Sequence, residues 1–448
     1  MSREKFRTRL GFILVSAGCA IGIGNVWKFP YIAGENGGGV FVLFYLLFLI
    51  IMGIPVLTME FATGRASRQS TVNAFITLEK PNHKWHLHGY VSLAGCILLM
   101  MYYTTVSGWM LGYFFRFASG TFEKAVNPAT VFSDILADHA EMILWMGITV
   151  IIGVAVCSTG LQKGTERISK IIMTGMLILT AALAVNSLTL DGASEGLRFF
   201  LMPDFGEAIE KGIGNVMTAA MSQAFFSLSI GLASMEIFGS YMSKENTLLS
   251  ESVRICVLDT FVAVVSGIII FPACFTFGIG PDSGPPLIFI TLPKVFSGMA
   301  NGRILGSLFF LFMSFASLST VIAVCENLIS AGIDSFGLSR KKASIICGIL
   351  LFTLSLPCIF GYNILNDIKI IGGRNISDSE DFIVSNLLLP AGALVYILFC
   401  TTKYGWGFDK YIKEANTGKG LKIPQKTKPY FQFILPVIIL IIFISSLR

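Results

Sequence analysis

The sequence predicts an all-α integral membrane protein of eleven transmembrane helices, two of them broken at bilayer depth. Three observations predict it. Hydrophobic residues make up 54% of the 448, charged residues only 13%, and mean hydropathy is +0.73; a soluble domain carries about 25% charged side chains. Eleven apolar stretches are long enough to cross a hydrocarbon layer about 30 Å thick. The first and the sixth stretch are interrupted by residues that a spanning helix avoids.

The stretches run approximately over 10–34, 39–60, 89–115, 141–158, 168–190, 214–240, 252–278, 304–330, 343–362, 382–401 and 429–447. The first contains Gly18-Cys-Ala-Ile-Gly22-Ile-Gly24-Asn25-Val-Trp27-Lys28-Phe29-Pro30. It is too long for a signal peptide and lacks a small-residue cleavage site. Irregular backbone inside a membrane is tolerated only where it is buried in protein or lines a watery cavity. A broken helix there frees carbonyl oxygens for a bare cation and amides for an anion. The sixth stretch has its own interruption, Ser227-Leu-Ser229-Ile-Gly231-Leu-Ala233-Ser234, five helices after the first. That spacing predicts one domain over 1–448 made of two inverted repeats, about 10–190 and 214–401, with an eleventh helix at 429–447. Sequence identity between the halves is not visible. The segment 281–286, continuing to Leu292-Pro293, is too rich in Pro and Gly to span and reads as a lid-like outer loop.

Charge sets the orientation. With the N-terminus inside, cytoplasmic segments hold 22 Lys and Arg and the opposite side 9. The expected topology is N-inside, C-outside, and the net charge of +6 is that signal rather than a nucleic-acid footprint. The nine Cys sit almost wholly within apolar stretches, which predicts reduced packing residues, not a disulfide framework. His83, His86 and His88 cluster before the third stretch and read as an ordinary polar loop.

Ionisable residues at membrane depth are functional candidates, because a charge there is costly. They are Lys28, Glu35, Glu60, Glu236, Asp259, Glu326 and Asp381, with hydroxyl clusters at Ser227 and Ser229 and at Ser317, Ser319 and Thr320. A lone Ser in a membrane helix usually bonds its own backbone; two clusters beside a broken helix suggest more. A sodium site needs about five or six hard oxygen ligands, and stretches 1, 6, 7 and 8 can supply two such sets. The residues alone do not say which oxygens converge.

The first-stretch motif, followed by Glu35-Asn36-Gly-Gly-Gly39, resembles the signature of the neurotransmitter:sodium symporter family. So do Gly53-Ile-Pro55, Glu60-Phe-Ala-Thr-Gly64-Arg65, Tyr102-Tyr103, Gln223-Ala-Phe-Phe226-Ser-Leu-Ser, Phe315-Ala-Ser-Leu-Ser-Thr320 and Leu338-Ser-Arg340-Lys. They follow one another in the same order along essentially the whole chain. The length is similar to that of the shorter, eleven-helix bacterial members, a tyrosine transporter among them.

The resemblance implies roles. A first sodium site would use Ala20, Asn25, Ser227 and Asp259, with the substrate carboxylate. A second would use carbonyls of Gly18, Ile21 and Ala316 with the hydroxyls of Ser319 and Thr320. The substrate carboxylate would meet amides near Gly24 and the Tyr103 hydroxyl, and its amino group carbonyls near Ala20, Phe226 and Ser229. Its side chain would pack among Leu99, Val106, Phe226, Leu232 and Val324. Lys28 and Asp381 would form an outer gate under a lid of Phe226 and Tyr103; Arg3 and Asp334, near Tyr241, an inner one. Three departures stand out: Cys19 where some relatives have Asn, Lys28 in place of Arg, and Asp259 where chloride-dependent relatives have Asn. A fixed carboxylate replaces chloride's charge, so chloride independence is expected. Monoamine-carrying relatives have Asp at the position of Gly22; its absence implies a substrate with its own carboxylate.

The expectation is therefore a sodium-coupled symporter of neutral, aromatic or large hydrophobic L-amino acids, tyrosine favoured. It would be an integral protein of the bacterial inner membrane, a monomer or weak homodimer, without cofactor, enzymatic activity or nucleic-acid partner. The alternative is an amino-acid sensor or channel of the same fold.

Overall fold

A computed structural model describes residues 3–124, 130–278, 280, 287–298 and 301–445. Within them the only β pairings are two isolated bridges, Gly38 to Pro203 and Asn246 to Lys419. Among the described residues, nine helices are long and apolar enough to cross a membrane unbroken. They are α2 (Gly39–Ser67), α3 (His86–Ala118), α4 (His139–Ser158), α5 (Leu161–Ser187), α7 (Leu248–Thr276), α8 (Gly302–Phe336), α9 (Arg340–Phe360), α10 (Ile376–Thr401) and α11 (Gln425–Ser445). A tenth, α1, is the pair Arg9–Ala20 and Gly24–Glu35, bent by 55°. The eleventh, α6, is Ile213–Ser227 and Ser234–Ser240, arms too short to cross singly, flanking the non-helical residues 228–233. Both interruptions fall where the sequence places them.

Proline shapes these helices in a repeated way. Wide π-helical turns end at Lys28, Gly53, Thr291, Leu388 and Ile434. Two residues after each comes a proline: Pro30, Pro55, Pro293, Pro390 and Pro436. A proline ring clashes with the carbonyl four residues back and offers no N–H. One extra residue in the preceding turn relieves the clash at the cost of local regularity.

α8 lies at the centre, its span the most buried of all, and α11 at the periphery. α3 and α8 pack along their lengths, while the second half of α6 lies on α2. Several spans extend beyond the apolar stretches. α5 begins at Leu161 rather than near 168 because Glu166, though buried, accepts from Lys170 Nζ at 2.7 Å, the Arg7 amide at 2.7 Å and Thr8 Oγ1 at 3.0 Å. α2 runs on to Ser67 because Arg65, fully buried, donates to Glu414 Oε1 at 2.7 Å and to the Asn246 carbonyl at 2.8 Å. α10 starts at Ile376, capped by the Asn375 side chain on the Asp378 amide. All nine cysteines are free and buried.

Residues 281–286, read from sequence as a lid-like loop, and residues 446–448 beyond α11 lie outside the described residues. The segment that follows the former is helical, and Phe289 is buried edge-on against Trp27 and Trp109 and stacked on Phe132.

Candidate functional site

The two breaks face each other. α1 loses its helical path at Ile21, whose backbone turns extended (φ −72°, ψ 97°). α6 does so over 228–233, with positive φ at Ser229 (51°), Gly231 (104°) and Ala233 (59°). Gly231 is required there, because an added Cβ would collide with the Leu389 carbonyl of α10.

Beside the α1 break, the side chains of the first predicted set converge, all fully buried. Asn25 Nδ2 donates to Asp259 Oδ1 at 2.8 Å and to the Asp259 carbonyl at 3.2 Å. Ser227 Oγ donates to the other carboxylate oxygen. Tyr45 of α2 joins them, 2.8 Å from Ser227 Oγ and 3.4 Å from Asp259 Oδ2. The second set meets between α1 and α8. Ser319 Oγ lies 3.2 Å from the Ile21 carbonyl and 2.7 Å from that of Ala316. Thr320 Oγ1 lies 3.4 Å from the Gly18 carbonyl and 3.3 Å from that of Cys19. The first cluster gathers carbonyl, hydroxyl, amide and carboxylate groups and the second carbonyls and hydroxyls, all of them group types that hold a hard cation.

Between the breaks is a small cavity of about 30 Å³. Eight of the predicted substrate residues line it: Ala20, Gly22, Gly24, Leu99, Tyr103, Phe226, Ser229 and Leu232. Val106 does not; it lines a second cavity of about 190 Å³ on the outer side, and Val324 is buried away from both. Four cavity residues were not assigned to the substrate from sequence: Ser234, Thr320, Val384 and Leu389. Tyr103 and Phe226 border both cavities and form the partition between them. Tyr103 Oη accepts the Ile23 amide at 3.0 Å. A Cβ at Gly22 would collide with that hydroxyl and with Thr320 Oγ1, and one at Gly24 would lie 2.7 Å from the Phe226 ring. Gln223 holds the break from α6, donating to the Gly24 carbonyl at 2.9 Å.

The two ion pairs expected to act as gates are formed at once. Lys28 Nζ sits 3.4 Å from Asp381 Oδ2 and 3.9 Å above the Phe226 ring. Asp381 also accepts from Tyr102 at 3.0 Å and Ser385 at 2.8 Å. On the other side Arg3 Nη1 lies 2.5 Å from Asp334 Oδ2, and the Arg3 guanidinium lies 4.8 Å from the Tyr241 ring centroid. Tyr241 donates to Glu326 at 2.9 Å, and Glu326 pairs with Arg340 at 3.0 Å. That last pair extends the inner closure beyond the residues read from sequence.

The profile of the sodium:neurotransmitter symporter family matches residues 3–126 and 122–448. The chain belongs to that family. It is 33% identical to the sodium-dependent transporter YhdH of Bacillus subtilis over 99% of this chain and 98% of the relative. A sodium-dependent transporter of Haemophilus influenzae is 33% identical over the same shares. The sodium- and chloride-dependent GABA transporter 2 of Bos taurus is 24% identical, over all of this chain and 80% of its own. Among solved structures, MhsT in complex with L-phenylalanine superposes with a TM-score of 0.88 at 37% identity, covering 99% of this chain and 100% of its own. This symporter-family chain is thus a multi-span, sodium-dependent membrane transporter with helices α1 and α6 broken.

Proposed function

We propose that the protein is a sodium-coupled symporter of neutral L-amino acids with aromatic or large hydrophobic side chains, tyrosine favoured, working by alternating access. The observation that carries this reading is Gly22. No side chain fits at Gly22 without striking Tyr103 and Thr320, and no acidic side chain is among the residues that line the cavity. The negative charge beside the α1 break therefore arrives with the substrate, as a carboxylate. Leu99, Leu232, Val384 and Leu389 give its side chain apolar walls. The resemblance to MhsT, crystallised with L-phenylalanine, supports the same class.

Two sodium ions are assigned to the clusters at Ala20, Asn25, Ser227 and Asp259 and at Gly18, Ile21, Ala316, Ser319 and Thr320. The substrate carboxylate completes the first, so ion and substrate stabilise each other, and that mutual stabilisation is the coupling. Asp259 supplies a fixed negative charge, so chloride is not required. The protein acts in the bacterial inner membrane with its N-terminus cytoplasmic. The alternative is an amino-acid-binding sensor or channel of this fold. Two ion-pair gates closed at once, above and below one cavity, favour a transporter over an open pore.

Equilibrium binding tests the carboxylate argument. Tyrosine should bind in sodium and be released in potassium, while tyramine, which lacks the carboxylate, should not compete. Competition by tyramine equal to that by tyrosine would refute it.

A further inference from the structure

Away from the ion and substrate clusters, two acidic side chains are buried together with no Lys or Arg opposite them among the described residues. Glu60 on α2 and Glu236 on the second half of α6 are both fully buried. Their helices touch so closely that a Cβ on Gly64 would collide with the Glu236 carbonyl. Glu60 Oε1 accepts the Gly231 amide at 2.5 Å, and its carboxyl also faces the amides of Met235 and Glu236. Glu236 Oε2 accepts the hydroxyl of Tyr396 from α10. The remaining oxygens, Glu60 Oε2 and Glu236 Oε1, have no donor among the described residues.

Among the described residues, no titratable group facing the pair is basic. They are Tyr396 and Cys400 from α10, Cys96 from α3 and Cys19 from α1. Arg65, farther along α2, is turned to Glu414 and Asn246. His88 meets the ring of Tyr396, 5.4 Å between centroids. Two carboxylates facing each other at bilayer depth without a cation are far costlier than two that share a proton.

We propose that Glu60 and Glu236 form a proton-binding site, separate from the sodium ligands, that joins α2 to the break of α6. Glu236 holds the proton and donates it to Glu60 Oε2, so that one hydrogen bond serves both unpartnered oxygens. Glu60 remains free to hold Gly231. When the proton leaves for water, two negative charges face each other and push α2 and the second half of α6 apart. Gly231 belongs to the break that borders the substrate cavity, so proton occupancy and the shape of that cavity are linked. Acid favours the closed packing and alkali loosens it. The site follows from packing and charge; only its effect on uptake rests on the transport reading.

Infrared spectra of the purified full-length protein in lipid nanodiscs test the site without transport. The wild type should show the carbonyl stretch of a protonated carboxyl that Glu236→Gln lacks. Gln keeps the bond from Tyr396 and offers its own N–H to Glu60. Glu236→Met, apolar and of similar length, serves if the first variant folds poorly, and should lose the same band. A spectrum unchanged by either substitution overturns the proposal. In proteoliposomes, sodium-driven tyrosine uptake should vary several-fold with pH in the wild type and flatten in Glu236→Gln; identical profiles would overturn the linkage. Loss of the band with no uptake from either protein would keep the proton site and reject the transport reading.

Discussion

Asn25 on the broken helix α1 donates its side-chain amide to the Asp259 carboxylate of α7 at 2.8 Å. Asp259 is the one acidic side chain among the described oxygens gathered there, with Ser227 and Tyr45 on its other side. Asp259→Asn removes that charge and keeps the shape. The variant should lose at least about tenfold in sodium-dependent tyrosine binding, which is about 1.4 kcal/mol, and chloride should restore part of the loss. Binding titrations in sodium chloride and in sodium gluconate measure both effects. Unaltered binding in gluconate would remove Asp259 from the sodium site.

Gly22→Ala places a methyl group against the Tyr103 hydroxyl and Thr320. Tyr103 is held by the Ile23 amide and cannot retreat freely. Tyrosine affinity should fall by about tenfold or more, an overpacking cost of 1–3 kcal/mol at about the usual scale. Isothermal titration measures it, with the thermal midpoint as a control for folding.

The proposed outer gate is a single ammonium contact, Lys28 to Asp381 at 3.4 Å. A guanidinium can meet a carboxylate with two parallel bonds. Lys28→Arg should therefore slow release of bound tyrosine to the outside by roughly fivefold, about 1 kcal/mol. Dissociation rates from preloaded protein report this, and a faster rate would contradict it.

Arg3 ties the N-terminal segment to Asp334, to Ser240 at 3.0 Å and to the Tyr241 ring. Arg3→Ala removes charge-assisted bonds worth about 2 kcal/mol. Opening of the inner face should rise about 30-fold, seen as faster amide exchange over residues 6–12 by mass spectrometry. Exchange at the outer gate should stay unchanged.

Arg65 is fully buried and depends on Glu414. Glu414→Ala strands a buried charge at a cost of about 3–5 kcal/mol, and the thermal midpoint should drop clearly. An Arg65→Met, Glu414→Leu double variant should recover much of it, because an apolar pair leaves no charge unpaired.

The breaks, the two oxygen clusters and the ion pairs Lys28–Asp381 and Arg3–Asp334 were legible because each is written in residues that a spanning helix avoids. Gly, Asn and Pro within an apolar stretch, or a lone Asp in one, carry their own signal. Val384 and Leu389 carry none, being ordinary apolar residues that α10 brings to the cavity. Thr320 was placed with the second oxygen set and proves to border the substrate cavity as well. Leu99 and Tyr103 reach the inner cavity, whereas Val106, about one helical turn on along α3, reaches the outer one. Tyr45 lies in a stretch so apolar that its hydroxyl did not stand out. The early start of α5 was hidden because Glu166 reads as a surface charge until Lys170 and the Arg7 amide are seen around it.

The central claim is sodium-driven accumulation of an amino acid. The most direct measurement is uptake of labelled tyrosine into proteoliposomes under an inward sodium gradient, against an equal potassium gradient, with leucine, tryptophan, alanine and glutamate as unlabelled competitors. Accumulation above equilibrium in sodium alone, blocked by the large neutral competitors and not by glutamate, is the predicted result. Equal uptake in sodium and potassium, for tyrosine and again for labelled leucine, would contradict coupled symport and favour a binding protein of the same fold.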